Sequence, residues 1–131
     1  MAIAALITWL VTALGGFVML GRWLAAGGHR PGSGSRLAPG LVFGHVGLAV
    51  LGLLAWISFL VTDTGGFAWA AFVLLLPVAL LGFTMFGRWL SSRHTPAAAE
   101  SRFPLAVVVG HGLFAVTTLV LVLITAVREA G

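Results

Sequence analysis

Four apolar stretches, near residues 2–24, 39–62, 66–90 and 103–127, decide what this chain can fold into. Each is long enough for a helix to cross a hydrocarbon core of about 30 Å. Together they hold two charged residues, Arg22 and Arg88, each two residues from the end of its stretch. In lipid, backbone polar groups must be satisfied within the segment, so such stretches read as helices. With 60% hydrophobic and 8% charged residues and a mean hydropathy of +1.14, the chain reads as an all-α integral membrane protein, a single transmembrane domain over 1–131. The opening "MAIAALITWLVTALGG" has no basic residue ahead of its apolar run and reads as an uncleaved membrane helix rather than a signal peptide.

The gaps between the stretches are polar or broken. "AAGGHRPGSGSRLAP" is rich in Gly, Ser and Pro; "TDTGG" is a tight turn in which Asp63 or Thr64 is expected to cap the third helix; "SSRHTPAAAESRFP" is interrupted by Pro96 and Pro104. Pro39 and Pro104 suit the first turns of helices two and four. Six of the seven arginines (22, 30, 36, 88, 93 and 102) fall on the side of loops one and three, and only Arg128 falls on the other. The excess of positive charge in short loops predicts that loops one and three are cytoplasmic and both termini outside, in a cell inner membrane. The basic pI near 11.9 is therefore a topology signal, with no nucleic-acid partner implied. Trp23 and Trp89 read as anchors at the cytoplasmic interface.

The chain is also written twice. "GFVMLGRWL" (16–24) and "GFTMFGRWL" (82–90) agree at seven of nine positions. "SRLAP" (35–39) answers "SRFP" (101–104), and "FGHVGLAV" (43–50) answers "VGHGLFAV" (109–116). At the offset that carries residue 16 onto residue 82, Arg22 matches Arg88, Arg36 matches Arg102, Gly44 matches Gly110 and His45 matches His111. The unit is a helical hairpin, 1–62 and then 66–131. Two such units enter the membrane in the same direction, which predicts an up-down four-helix bundle with a pseudo-twofold axis along the membrane normal. Helices two and four then face each other diagonally, about 13 Å apart if neighbours pack at 8–10 Å.

His45 and His111 are the only ionisable side chains well inside the apolar stretches, and such residues are costly in lipid and commonly functional. They lie six residues past Pro39 and seven past Pro104, roughly 9–10 Å from the cytoplasmic start of their helices. Across that diagonal gap they are too far apart for a direct hydrogen bond, and a haem iron with two axial imidazoles fits between them. Gly44 and Gly110 precede them and are expected to let a flat group approach. Leu48, Ala49, Phe114 and Ala115 are the expected walls, and Arg22 and Arg88 the expected partners of the haem carboxylates.

In these features the chain resembles the cytochrome b-type membrane haem bundles, in which helices two and four of a four-helix core supply paired histidines. The resemblance implies one haem b held by His45 and His111, and an electron-transfer role or membership of a larger redox complex rather than a stand-alone enzyme. It departs from the respiratory members, which carry a second pair thirteen or fourteen residues on. Here those positions hold Ser58 and Phe59, then Ile124 and Thr125. A single haem implies a redox partner or a quinone as well as the lipid bilayer, with a homo-oligomer also open.

Other readings of the same residues stand beside this one. The histidines could bond to helix carbonyls and serve packing or a proton path, or hold a non-haem metal or pigment, although no third or fourth ligand is visible at their depth. Arg22 and Arg88 fit positive-inside topology and snorkelling equally well. Met19 and Met85 suit core packing better than ligation. His29 and His94 read as solvated loop residues, and Pro77, whose mate position is Val11, as a site that breaks the repeat. The rival functions are a structural or assembly subunit without cofactor, or a small transporter, which the lack of an intramembrane carboxylate disfavours. With no cysteine in the chain, disulfides, thiolate metal sites and iron–sulfur clusters are excluded.

Overall fold

The computed structural model describes residues 1–130. It contains four long helices, α1 (Ala2–Ala25), α2 (Pro39–Thr62), α3 (Gly65–Ser92) and α4 (Leu105–Glu129), and a 3-10 turn over Ala99–Arg102 that the sequence reading did not foresee. At 24, 24, 28 and 25 residues, each helix is long and apolar enough to cross a membrane, and the four pack as a bundle. α1 and α2 begin and end within a residue of expectation. α3 runs two residues further, through Ser92, and α4 starts and ends two residues later than expected.

The helix ends show why. Pro39 occupies the first turn of α2, where its missing N–H costs nothing. Pro104 instead sits one residue ahead of α4, in extended backbone. The expected side-chain cap on α3 is absent: Thr64 is the capping residue but makes no cap hydrogen bond with its hydroxyl. Asp63 terminates α2 instead, in the left-handed region at φ 54°, with its N–H on the Phe59 carbonyl at 2.8 Å. A short acidic side chain tolerates that conformation, which turns the chain within two residues.

The packing cuts across the sequence hairpins. α2 packs along α3 and α1 along α4; α3 meets α4 less extensively, and the α1 and α2 backbones approach at few points, joined by Trp9 on Gly52 and by Trp56 Nε1 donating to the Ala2 carbonyl at 3.3 Å. Among the described residues no Cα of α1 comes within 8 Å of α3, nor any of α2 within 8 Å of α4, and those pairs meet only through side chains. The molecule is thus two slabs of two helices, α2–α3 and α1–α4, face to face. One end of the interface is filled by Trp9, Trp56, Phe59, Val122 and a set of alanines, with the Trp9 ring lying on Gly52. The other end is filled by Trp23, Leu37, Val42 and Ala99. Large aliphatic side chains such as Ile3, Leu14, Val61 and Leu80, with Phe17, point outward and are exposed, while the buried positions combine alanines with Trp9, Trp23, Trp56 and Trp89.

Candidate histidine-lined slot

Between the two filled ends lies a slot separating the slabs. It comprises a cleft of about 540 Å³ lined mostly by α3 and α4 and a smaller one of about 150 Å³ lined mostly by α1 and α2. His45 and His111 line both openings, one from each slab. Their ring centroids are 6.3 Å apart and the ring planes are inclined at 54°.

Each imidazole is fastened within its own slab. His45 on α2 hydrogen-bonds through Nδ1 to the Val78 carbonyl of α3 at 2.9 Å. His111 on α4 bonds through Nδ1 to the Thr12 carbonyl of α1 at 2.8 Å. A carbonyl only accepts, so Nδ1 carries the proton and donates, which leaves Nε2 as the basic nitrogen of each neutral ring. A metal-binding histidine has this arrangement, its second nitrogen tied down and its tautomer fixed. Thr12 and Val78 are repeat mates, at the same offset as the two histidines.

Two glycines, again repeat mates, make room for the rings. A methyl group on Gly16 would come within 3.2 Å of His111 Cε1, and one on Gly82 within 3.3 Å of His45 Cε1. These are the first letters of the duplicated nonapeptide. Gly44 and Gly110, expected to border the ligand, line neither opening, and side chains there would meet open space. Among the expected walls, Ala115 lines both openings and Ala49 the smaller one. Leu48 packs on the Trp9–Trp56 core, and Phe114 is exposed. Met19 and Met85 line the larger opening.

Arg22 and Arg88 are exposed and line neither opening. Each braces its own slab: Arg22 Nη1 donates to the Arg102 carbonyl at 3.2 Å, and Arg88 Nη1 to the Arg36 carbonyl at 3.1 Å. The remaining N–H groups of each guanidinium are left for other acceptors. His29 and His94 are exposed loop residues, as expected, and the His29 ring stands edge-on to Trp23 with centroids 6.3 Å apart.

The tryptophans depart from the sequence reading. Trp23 and Trp89 are buried, at 1% and 4% exposure, and both line the larger opening. Loops one and three fold over this end instead of leaving the indoles at a surface. What holds the loops there is Glu100 of the third gap, which is 0% exposed. Its carboxylate accepts from Ser35 Oγ at 2.8 Å, from the Arg36 N–H at 2.8 Å and from Ser92 Oγ at 2.9 Å, and Trp23 Nε1 donates to Ser35 Oγ at 2.9 Å. Burial opposes ionisation of Glu100, but these hydrogen bonds, that from the Arg36 N–H foremost, outweigh it and hold the carboxyl below the usual range. The only advance signal was the rarity of acids, three in the chain.

Among the described residues no group of three or more His, Cys, Asp or Glu converges as a metal site. The slot is therefore lined by two imidazoles and largely apolar side chains. Comparison of the chain with protein-family models, curated proteins and solved structures finds no match to any of them.

Proposed function

We propose that this chain binds one b-type haem in the slot, with His45 and His111 as axial ligands, and carries electrons on its own or as the haem subunit of a larger redox complex. The observation that carries this reading is the separation of the two rings. A metal–imidazole bond is about 2 Å and the ring centre lies about 1 Å further, so two imidazoles on opposite sides of one metal have centres about 6 Å apart; here they stand 6.3 Å apart. With no further protein ligand converging, a tetrahedral zinc or copper site lacks its third and fourth donors, whereas a porphyrin brings four nitrogens of its own. The slot between slabs suits a flat, apolar group.

Bound haem would supply a one-electron couple, tuned by its axial ligands. The chain's own residues set the conditions. The Thr12 and Val78 carbonyls orient the imidazoles and fix their tautomer. The lining beside the imidazoles is largely apolar. Arg22 and Arg88, each with N–H groups to spare, stand at the end of the bundle where haem carboxylates would emerge. The finer architecture belongs to the same proposal: tandem hairpins 1–62 and 66–131 related by a pseudo-twofold axis along the membrane normal, spanning an inner membrane with loops one and three cytoplasmic and both termini outside. The recurrence of the Gly16/Gly82, Thr12/Val78 and Arg22/Arg88 contacts at one offset supports it. One haem near one face needs a redox partner or a quinone to complete a path across the bilayer.

The test is the absorption spectrum of the detergent-purified protein, oxidised and then reduced with dithionite. A Soret band that sharpens with α and β bands on reduction is expected, lost or converted to a five-coordinate form in His45→Ala and in His111→Ala. A colourless protein that stays colourless when haem is supplied would rule the proposal out.

A further inference from the structure

Trp89 Nε1–H is the one buried side-chain donor or acceptor that finds no partner among the described residues. Buried polar groups are paired as a rule, and an exception inside a cleft points to something that binds there. The equivalent donor in the first repeat is satisfied, because Trp23 Nε1 reaches Ser35 Oγ at 2.9 Å. The second repeat has a serine at the corresponding position, but Ser101 turns its hydroxyl to the Ala98 carbonyl at 2.7 Å. The Arg93 guanidinium stacks on the Trp89 ring face, 5.6 Å from its centroid, and that contact leaves the ring N–H untouched. Two matched indoles therefore line one cleft, one with its donor engaged by the protein and one with its donor free.

We propose that Trp89 Nε1–H is an anchoring donor for the occupant of the slot and hydrogen-bonds to a carboxylate oxygen of the haem, while Ser35 keeps Trp23 out of that role. The inference rests on the haem reading above. An indole N–H can only donate, and the carboxylates are the charged acceptors on the haem periphery. Trp89 stands seven residues beyond Gly82, the residue against the His45 ring, which is about 10 Å along α3 and within reach of a porphyrin's carboxylate arm. Arg88 precedes it and favours negative charge at that end. The two carboxylates then meet unequal surroundings, although the rest of the site is built in matched halves.

The test is a haem titration of the full-length protein in detergent, followed at the Soret band, for wild type, Trp89→Phe and Trp23→Phe. Each is titrated with haem and with haem dimethyl ester. A hydrogen bond to a charged acceptor is about twice as strong as a neutral one, so Trp89→Phe should lose about tenfold in affinity for haem and most of the preference for haem over its ester. Trp23→Phe should keep that preference. A second readout needs no variant. Of the five indole N–H resonances, one should move downfield when diamagnetic gallium protoporphyrin is added, and less with its dimethyl ester. A Trp89→Phe protein with unchanged haem preference, or a wild type whose indole resonances ignore the carboxylates, would overturn this inference while leaving axial ligation intact. A wild type that takes up no haem overturns both.

Discussion

Replacing Gly82 by alanine is a sharp test of how the slot is built, because two effects of known size oppose each other. In an exposed helix interior, Gly→Ala stabilises by about 1 kcal/mol through backbone entropy alone. At residue 82, however, the added methyl would sit 3.3 Å from His45 Cε1 and 3.8 Å from Nδ1, so the ring has to retreat by a few tenths of an ångström. The ring is not free to do so, since Nδ1 holds the Val78 carbonyl at 2.9 Å, and any retreat shifts Nε2 in the slot. Loss of a ligand's orienting partner commonly lowers metal affinity by about 10–100-fold; a strained but intact bond should give the lower end, about tenfold. Gly16→Ala should do the same through His111, whose Cε1 would lie 3.2 Å from the new methyl. Gly21→Ala and Gly87→Ala are the controls, since nothing lies within 4 Å of either. The assay is the haem titration followed by Soret absorbance, with thermal melting of the haem-free protein alongside. The expected pattern is weaker haem binding for residues 16 and 82 without loss of fold, and no weakening for 21 and 87. Equal haem affinity in all four variants would refute the idea that these glycines position the imidazoles.

Glu100→Gln should keep the volume but leave one donor among the Ser35, Arg36 and Ser92 groups without an acceptor, a loss of about 1–3 kcal/mol, read as a lowered melting temperature; an unchanged melt would show that the carboxylate does not tie the loops. Because the folded-state pKa of Glu100 is depressed below its ordinary value, its stabilisation is complete above the ordinary carboxylate range and is lost as pH falls through the folded-state value. Acid should therefore lower the wild-type melting temperature more steeply than that of Glu100→Gln, and parallel curves would contradict the assignment. Substituting Arg22 and Arg88 together by Gln removes positive charge beside the proposed carboxylates, so the haem midpoint potential should fall and potentiometry should show it; a potential that stays put would limit the arginines to bracing the slabs.

The four helices were legible because stretches long and apolar enough to cross a membrane stand out in sequence, and His45 and His111 because an ionisable side chain stands out in such a run. Gly16 and Gly82 were visible as letters of the repeat, but nothing in the sequence says which helix they face. The Thr12 and Val78 carbonyls were not legible at all. The acceptor is backbone, so any side chain can stand there, and the two positions carry different residues. The tryptophans were misjudged because interface preference is a rule for exposed indoles, and the fold of loop three over them depends on Glu100 finding Ser35, Arg36 and Ser92, contacts far apart in sequence for the first two. Pairing of α1 with α4 and of α2 with α3 was likewise hidden, since hydrophobic pattern gives every helix an apolar surface all round and names no neighbour.

The helix pairing also bears on the duplicated architecture. His45 belongs to the first hairpin but is held by Val78 of the second, and His111 of the second is held by Thr12 of the first. Neither hairpin can orient its own histidine, because the helix that supplies the carbonyl is always in the other unit. The α1 and α2 backbones come close at few points; Trp9 on Gly52 and Trp56 Nε1 on the Ala2 carbonyl join them, but a lone first hairpin lacks the α3 and α4 faces that bury most of its surface. A chain cut between Asp63 and Thr64 isolates the point, as that turn lies at the end of the bundle away from Glu100. The two halves, co-expressed, should associate through the α2–α3 and α1–α4 faces and take up haem as the intact chain does. Either half alone should bind it only as a parallel dimer, where a second copy provides the missing carbonyl. Size exclusion with simultaneous detection at the Soret wavelength separates the cases: haem should elute only with species containing two hairpins. A monomeric hairpin carrying six-coordinate haem would mean that the carbonyl tethers are dispensable and that the slot between slabs is not the site.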